Sequence, residues 1–193
     1  MAKYAVFESV NMASTEYATR IFDAVAQTDI ENGTFGYLNG LANVDGVIYN
    51  FVAGTKNGLG DGDIVVVDNP AWSEDTTRRT NQRRDKYIIP AGTPFRVRVI
   101  AKNDEFGITA EGFTSATKSI VTAVTDFKTN NITVAIDSST GKLVAKSGNS
   151  TGIVVGKVMR IRKEGDTIVT SLRSYGYSTD IYEIKVTGFN VSE

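Results

Sequence analysis

The feature that most constrains the fold of this sequence is its run of two-residue turn signals. Asn-Gly stands at 32–33, 39–40 and 57–58, and Asp-Gly at 45–46 and 61–62. Such pairs accept the positive φ angles that tight hairpin turns impose. Between and after them lie short β-favouring runs at 34–38, 47–52, 64–67, 87–89 and 95–100. Phe95, Arg96, Val97, Arg98 and Val99 alternate apolar with charged, the period of a strand with one wet face. Ile64, Val65, Val66 and Val67 do not alternate, which predicts a strand buried on both faces. Pro90 and Pro94 flank the turn before Phe95, where they cost no ladder hydrogen bond.

The same grammar continues after residue 130. Residues 132–136 alternate, 138–141 turn and 142–146 return. A long strand is expected over 152–162, a turn over 163–166, a returning strand over 167–172 and a last strand over 181–186. Strands at this spacing predict an all-β chain, a β-barrel or β-sandwich of short antiparallel strands, and argue against a parallel α/β sheet. Helix is sparse. Ser14 or Thr15 caps a segment reaching Ala26, with Tyr17, Ile21 and Val25 on one face, or the same residues lie as an extended arm. A second helical stretch over 115–127 is weakened by its threonines. The expected organisation is an N-terminal arm or short helix over 1–28, a barrel or sandwich over 29–114, and further β hairpins over 115–193, in the same or a second small domain.

Composition narrows the chemistry. The 193 residues include no histidine and no cysteine. That removes Ser-His and Cys-His nucleophile pairs, zinc held by His or Cys, iron–sulfur clusters and every disulfide. A net charge of -1 disfavours nucleic acid as a partner of the whole protein. Residues 1–15 hold one lysine and no long apolar run, so no secretory signal is read there, and no membrane span is expected. The product is read as cytoplasmic at first, and the Asn-x-Ser/Thr sites at Asn32, Asn131, Asn149 and Asn190 as coincidental.

The densest charge feature lies at 78–86. Arg78, Arg79, Arg83, Arg84 and Lys86 put five positive charges in nine residues with few apolar neighbours. Arginines grip carboxylates or phosphates through paired hydrogen bonds, so this stretch is a contact for an acidic protein surface, a contact for a nucleic-acid backbone, or a solvated loop. Trp72, the only tryptophan, precedes it and serves either as a core plug or as an interface anchor. Tyr4, Val6 and Phe7 form an apolar segment without a local partner, which fits a segment that orders by docking on something else. Tyr175, Gly176 and Tyr177 make either a packed turn or a contact patch.

Other motifs fail on inspection. Residues 58–63 are rich in Gly and Asp but lack both the dinucleotide fingerprint and the closing glutamate of a calcium loop. Residues 138–142 end like a P-loop, yet Ile136 replaces its first glycine and Leu143 its Ser/Thr. Ser115 and Lys118 share the S-x-x-K spacing without its companion motifs. No pair among the many carboxylates stands out as a glycosidase pair.

Four phrases, at 30–36, 62–67, 89–97 and 152–158, carry a likeness to a known family. With their extended runs, glycine turns and Val-rich strands, the chain resembles the head decoration (cement) proteins of tailed bacteriophages. The resemblance implies a small β-barrel or sandwich, often with an N-terminal arm, that binds the outside of the capsid lattice. It further implies the major capsid protein as partner, self-association as dimer or trimer, a virion location after assembly in the host cytoplasm, and neither catalytic residues nor cofactors. A tail or baseplate component and a carbohydrate-binding host-adhesion module are the alternatives, with a carboxylate-based hydrolase behind them. The expected partner contacts are Tyr4, Val6, Phe7, Trp72, Arg78, Arg79, Arg83 and Arg84.

Overall fold

A computed structural model describes residues 3–16, 18–42, 46–60, 62–70, 84–127, 130–148, 154–165 and 178–189. Five strands close a small barrel: β2 (Ile21–Val25), β3 (Phe35–Leu41), β4 (Tyr49–Ala53), β5 (Ile64–Val67) and β6 (Phe95–Val99). Their order is β2-β4-β3-β5-β6, with β2 and β4 parallel, the other pairs antiparallel, and β6 returning to β2. The other six form an antiparallel sheet: β1 (Phe7–Asn11), β7 (Glu105–Thr109), β8 (Ile132–Ile136), β9 (Leu143–Ser147), β10 (Val154–Gly165) and β11 (Ser178–Phe189). Their order is β1-β7-β11-β10-β8-β9. The all-β expectation holds.

The unbroken apolar run of β5 has a clear cause. Val65 and Val67 point into the barrel and join Phe51, Phe95 and Val97 there. Ile64 and Val66 point the other way, into a second core shared with Phe7, Phe106, Ile132 and Ile184 of the sheet. All four side chains are at most 1 % exposed. One strand thus serves two cores, and alternation would have left a charge in one of them.

The β8–β9 turn locks the sheet onto the barrel. The Asp137 carboxylate accepts hydrogen bonds from the backbone N–H and hydroxyl groups of Ser139 and Thr140. The Thr140 hydroxyl, its backbone N–H and the Ser139 hydroxyl hold the Asp137 pKa down at about 2. The ordered turn lays Gly141 against Gly54 of the barrel. Phe35 N–H donates to Gly141 O at 2.8 Å, and Thr55 N–H to Ser138 O at 3.1 Å. Gly54 has φ +93°, and a Cβ there would stand 2.1 Å from Ser138 O. Only glycine fits such an approach.

The N-terminal expectation is corrected. Residues 4–11 are neither a free arm nor part of a helix. Tyr4 N–H donates to Asp85 O at 2.9 Å, Ala5 N–H to the Glu31 carboxylate at 2.7 Å, and Val6 N–H to the Thr109 hydroxyl at 3.0 Å. The chain then pairs with β7, setting Phe7 opposite Ile108. The expected helix from Ser14 to Ala26 shrinks to α1 (Ala13–Glu16) and a 3-10 turn at Ala18–Arg20, because Ile21 to Ala24 pair with β6. Tertiary pairing overrides the weak helical spacing. The stretch over 115–127 keeps one short helix, α2 (Lys118–Thr122).

The sheet draws on strands from both sides of residue 114. β1 and β7 precede it in the chain but belong to the sheet of β8–β11. Likewise, 163–165 is strand rather than turn, since pairing with β11 continues through Lys163↔Asp180 to Gly165↔Ser178. The partner strand expected over 167–172 and the Tyr175–Tyr177 patch lie outside the described residues.

Two substitutions test these joints. Phe7→Ala should destabilise the isolated protein by about 3–5 kcal/mol, the usual cost of emptying a buried phenylalanine site. Chemical denaturation reads this, and a change under about 1 kcal/mol would return the segment to the status of an arm. Gly54→Ala should cost about 2 kcal/mol or more, since a strained backbone is added to a collision with Ser138 O. Its melting curve should therefore fall well below that of Gly58→Ala, which also has positive φ but meets nothing within 4 Å.

Candidate functional site

The described residues on either side of the arginine-rich sequence, Pro70 and Arg84, lie at one place. Past β5 the chain runs through Asp68, Asn69 and Pro70, and it returns at a 3-10 turn, Arg84–Lys86. Pro70 and Arg84 line a single cleft of about 220 Å³ with Val6, Phe7, Asn32, Asp68 and Asn69.

Its walls are held by polar ties. The Asn32 side chain pairs with the Asn69 backbone: Asn69 N–H donates to Asn32 Oδ1 at 2.9 Å, and Asn32 Nδ2 donates to Asn69 O at 2.8 Å. The Asn69 amide donates onward to the Tyr87 hydroxyl at 2.7 Å. Asp68 receives the guanidinium of Arg98, which is itself buried and donates to Ser14 O at 3.1 Å. Reciprocal hydrogen bonding and a partly buried ion pair fix the chain at Asp68 and Asn69 in one geometry.

Arg84 connects this cleft to a row of charges across the outer face of the sheet. Its guanidinium donates to Glu8 at 2.6 Å and to Phe7 O at 3.0 Å. Glu8, Gly107, Glu183 and Arg160 stand in register on β1, β7, β11 and β10. Arg162 bridges Glu8 to Glu183, meeting Glu183 at 3.2 Å, and Arg160 closes the row on Glu183. Lys185 and Glu105 pair beside it at 2.9 Å. Gly107 makes the crossing feasible: a Cβ there would lie 2.7 Å from Ile181 and 3.6 Å from Glu8.

Burial pushes the Glu8 carboxyl up, but hydrogen bonds and charge from Arg84 and Arg162 outweigh it, so its pKa lies below the ordinary value. For Glu111 burial again opposes, and Lys118 at 3.0 Å wins with the same outcome.

Of the expected contact residues, Val6, Phe7 and Arg84 come together at the cleft. Val6 and Phe7 are 6 % and 3 % exposed, so their side chains are spent on the protein's own core and do not serve as partner contacts. The error lay in seeking a partner nearby in sequence, when Phe7 and Val6 find Ile108 and Thr109 a hundred residues on. Tyr4 is half-buried, with its backbone tied to Asp85. Trp72, Arg78, Arg79 and Arg83 lie outside the described residues. The row from Glu8 to Arg160 went unnoticed in the sequence. Its only trace there is charged residues alternating with apolar ones, as in Arg160-Ile161-Arg162 and Tyr182-Glu183-Ile184-Lys185.

Among the described residues no group of three or more Asp or Glu is placed to hold a metal ion, and no helix is long and apolar enough to cross a membrane. Compared with protein-family models, with curated proteins and with solved structures, the chain matches none.

The charged row has a pH signature. Glu8 holds its proton less tightly folded than unfolded, so its contribution is present above about pH 4.5 and is lost as pH falls through the lowered folded value. Glu8→Gln should cost about 1 kcal/mol at pH 7, a charged hydrogen bond discounted for partial exposure of its arginines. Urea denaturation of both proteins at pH 7 and pH 3 should show the gap closing at the lower pH. A gap that is constant with pH would mean that Glu8 acts by shape and not by charge.

Proposed function

We propose that this protein is a non-enzymatic structural component of a bacteriophage virion, a decoration protein that binds the outer surface of the major capsid protein lattice and stabilises the head. The observation that carries this reading is the anchored root of the arginine-rich stretch. Pro70 and Arg84 line one cleft, and Arg84 is tied to both Glu8 and the Phe7 carbonyl. The residues that flank the arginine-rich sequence are thereby fixed on the described body, which is what an element gripping carboxylates on a neighbouring subunit requires.

The mechanism is bracing by repetition. Each copy would bury surface across adjoining shell subunits, on the order of 1,600 Å² for a standard interface. Many such contacts stiffen a shell although each is modest, and association of copies on the lattice would add to it. The absence of His and Cys from the sequence favours this reading over a hydrolase. A sugar-binding module draws no support from the described surface, where the large exposed apolar side chains are Val10, Leu41, Val47 and Met159, none of them aromatic.

The test is co-sedimentation with empty capsids of the phage that encodes the protein. Wild type should pellet with the shells. The Arg78→Glu/Arg83→Glu variant should lose at least tenfold in affinity, since reversal adds repulsion to the lost hydrogen bonds. Its melting curve should stay within about 1 kcal/mol of wild type, the limit for exposed ion pairs. Wild type that remains in the supernatant would end the capsid assignment, and a variant that pellets like wild type would exclude the arginines as the contact.

A further inference from the structure

The three Asn-Gly pairs of this chain are alike as turn signals, yet the fold places them in different chemical settings. An asparagine followed by glycine is open to attack from its own backbone. The glycine nitrogen, unscreened by any Cβ, can reach the asparagine side-chain carbonyl carbon and close a five-membered ring. That reaction needs a nitrogen free of other hydrogen bonds, a side chain free to swing over it and a backbone free to follow. Burial and hydrogen bonding therefore decide which pair reacts.

Asn32-Gly33 has none of these freedoms. Asn32 is 7 % exposed, and both ends of its side-chain amide are held by the Asn69 backbone. The Gly33 N–H donates to Val67 O at 2.9 Å, so the attacking atom is occupied as well. Asn39-Gly40 is exposed but lies within β3, bracketed by the pairing of Leu38 and Leu41 with β4. Asn57-Gly58 is the opposite case to Asn32-Gly33. Both residues are exposed and lie in a turn outside any strand. Among the described residues neither has a hydrogen bond. Gly58 has φ +85°, and nothing stands within 4 Å of the position a Cβ would take.

We propose that Asn57 is a site of spontaneous deamidation in the folded protein and that the fold spares Asn32. The Gly58 nitrogen bonds to Asn57 Cγ and gives up its proton, and the side-chain nitrogen leaves as ammonia. The resulting succinimide takes up one water. Opening at one carbonyl gives aspartate with the original backbone, and at the other isoaspartate, with the chain rerouted through the side chain. One amide and one water thus become one carboxylate and one ammonium ion, with water as the only co-reactant. The new carboxylate stands next in sequence to Lys56, whose Nζ lies 4.5 Å from the centre of the Tyr37 ring, and offers that cation a competing partner. Asn32 can follow the same course only when its turn opens and releases Val67 and Asn69 together.

The experiment is incubation of the purified protein at 37 °C and pH 8, with and without guanidinium chloride, followed by peptide mapping. Mass spectrometry reads the exchange of amide for acid at each asparagine, and isoaspartyl methyltransferase labels the isoaspartate product. In the folded protein Asn57 should convert at least tenfold faster than Asn32, because reaction at Asn32 waits on local opening. In denaturant the two rates should come within about threefold of each other, since the restraint on Asn32 belongs to the fold. Asn57→Gln should abolish the signal at that position, because the longer side chain would have to close a six-membered ring. A ratio of Asn57 to Asn32 below tenfold in the folded protein, or the same ratio persisting in denaturant, would overturn the assignment.

Discussion

The structure turns on Phe106. Its ring lies 5.5 Å from Phe7 on one side and 5.5 Å from Phe35 on the other, so one side chain of β7 joins the first strand of the chain to the barrel wall. The barrel is closed through hydrogen bonds among its own five strands, and the sheet could not stand alone with one apolar face bare. The shared core around Phe106 makes them one body. Ile64 and Val66 from the barrel and Ile132, Val134 and Ile184 from the sheet fill the space around it. Everything described on the outer surface inherits its position from that contact.

Around the apolar joint sits a ring of polar ties that fixes orientation. Glu31 takes Ala5 N–H with one carboxylate oxygen and Lys142 Nζ at 2.6 Å with the other, joining the barrel, the N-terminal segment and the β8–β9 turn at a single side chain. Lys142 also donates to Glu111 O at 3.1 Å. Apolar packing is tolerant of sliding, whereas hydrogen bonds in partly buried surroundings demand particular partners. Hydrophobic contact therefore holds the two sheets together, and Glu31, Lys142 and the Gly54–Gly141 approach determine how they meet.

The legibility of this fold in its sequence was uneven, for physical reasons. Hairpin signals such as Asn32-Gly33 and the apolar run of β5 are local, and the strands beside them were found. β1, β2 and β7 were not. Glu105–Thr109 has a glycine at its centre, kept because Gly107 faces Ile181 and Glu8, and such a strand looks weak by composition. Ile21–Val25 follows a helical spacing and becomes a strand only because β6 is available to pair. At the candidate site, the arginine cluster announces itself by charge density alone. The row linking Glu8, Glu183, Arg160 and Arg162 joins residues up to 154 positions apart, and no local pattern encodes such a register.

The place of β1 also sets a timetable for the growing chain. At about 5–20 residues per second, the ribosome needs roughly 5–20 s to progress from β1 to its pairing strand β7. β11, which flanks β7 on the other side, comes some 70 residues later still. The five barrel strands are complete by Val99, so the barrel is the part equipped to form while synthesis continues. Until β7 emerges, β1 lacks the strand with which it pairs. A chain that lent β1 to another copy in that interval would satisfy the same hydrogen bonds between molecules, which makes this strand the element most open to exchange.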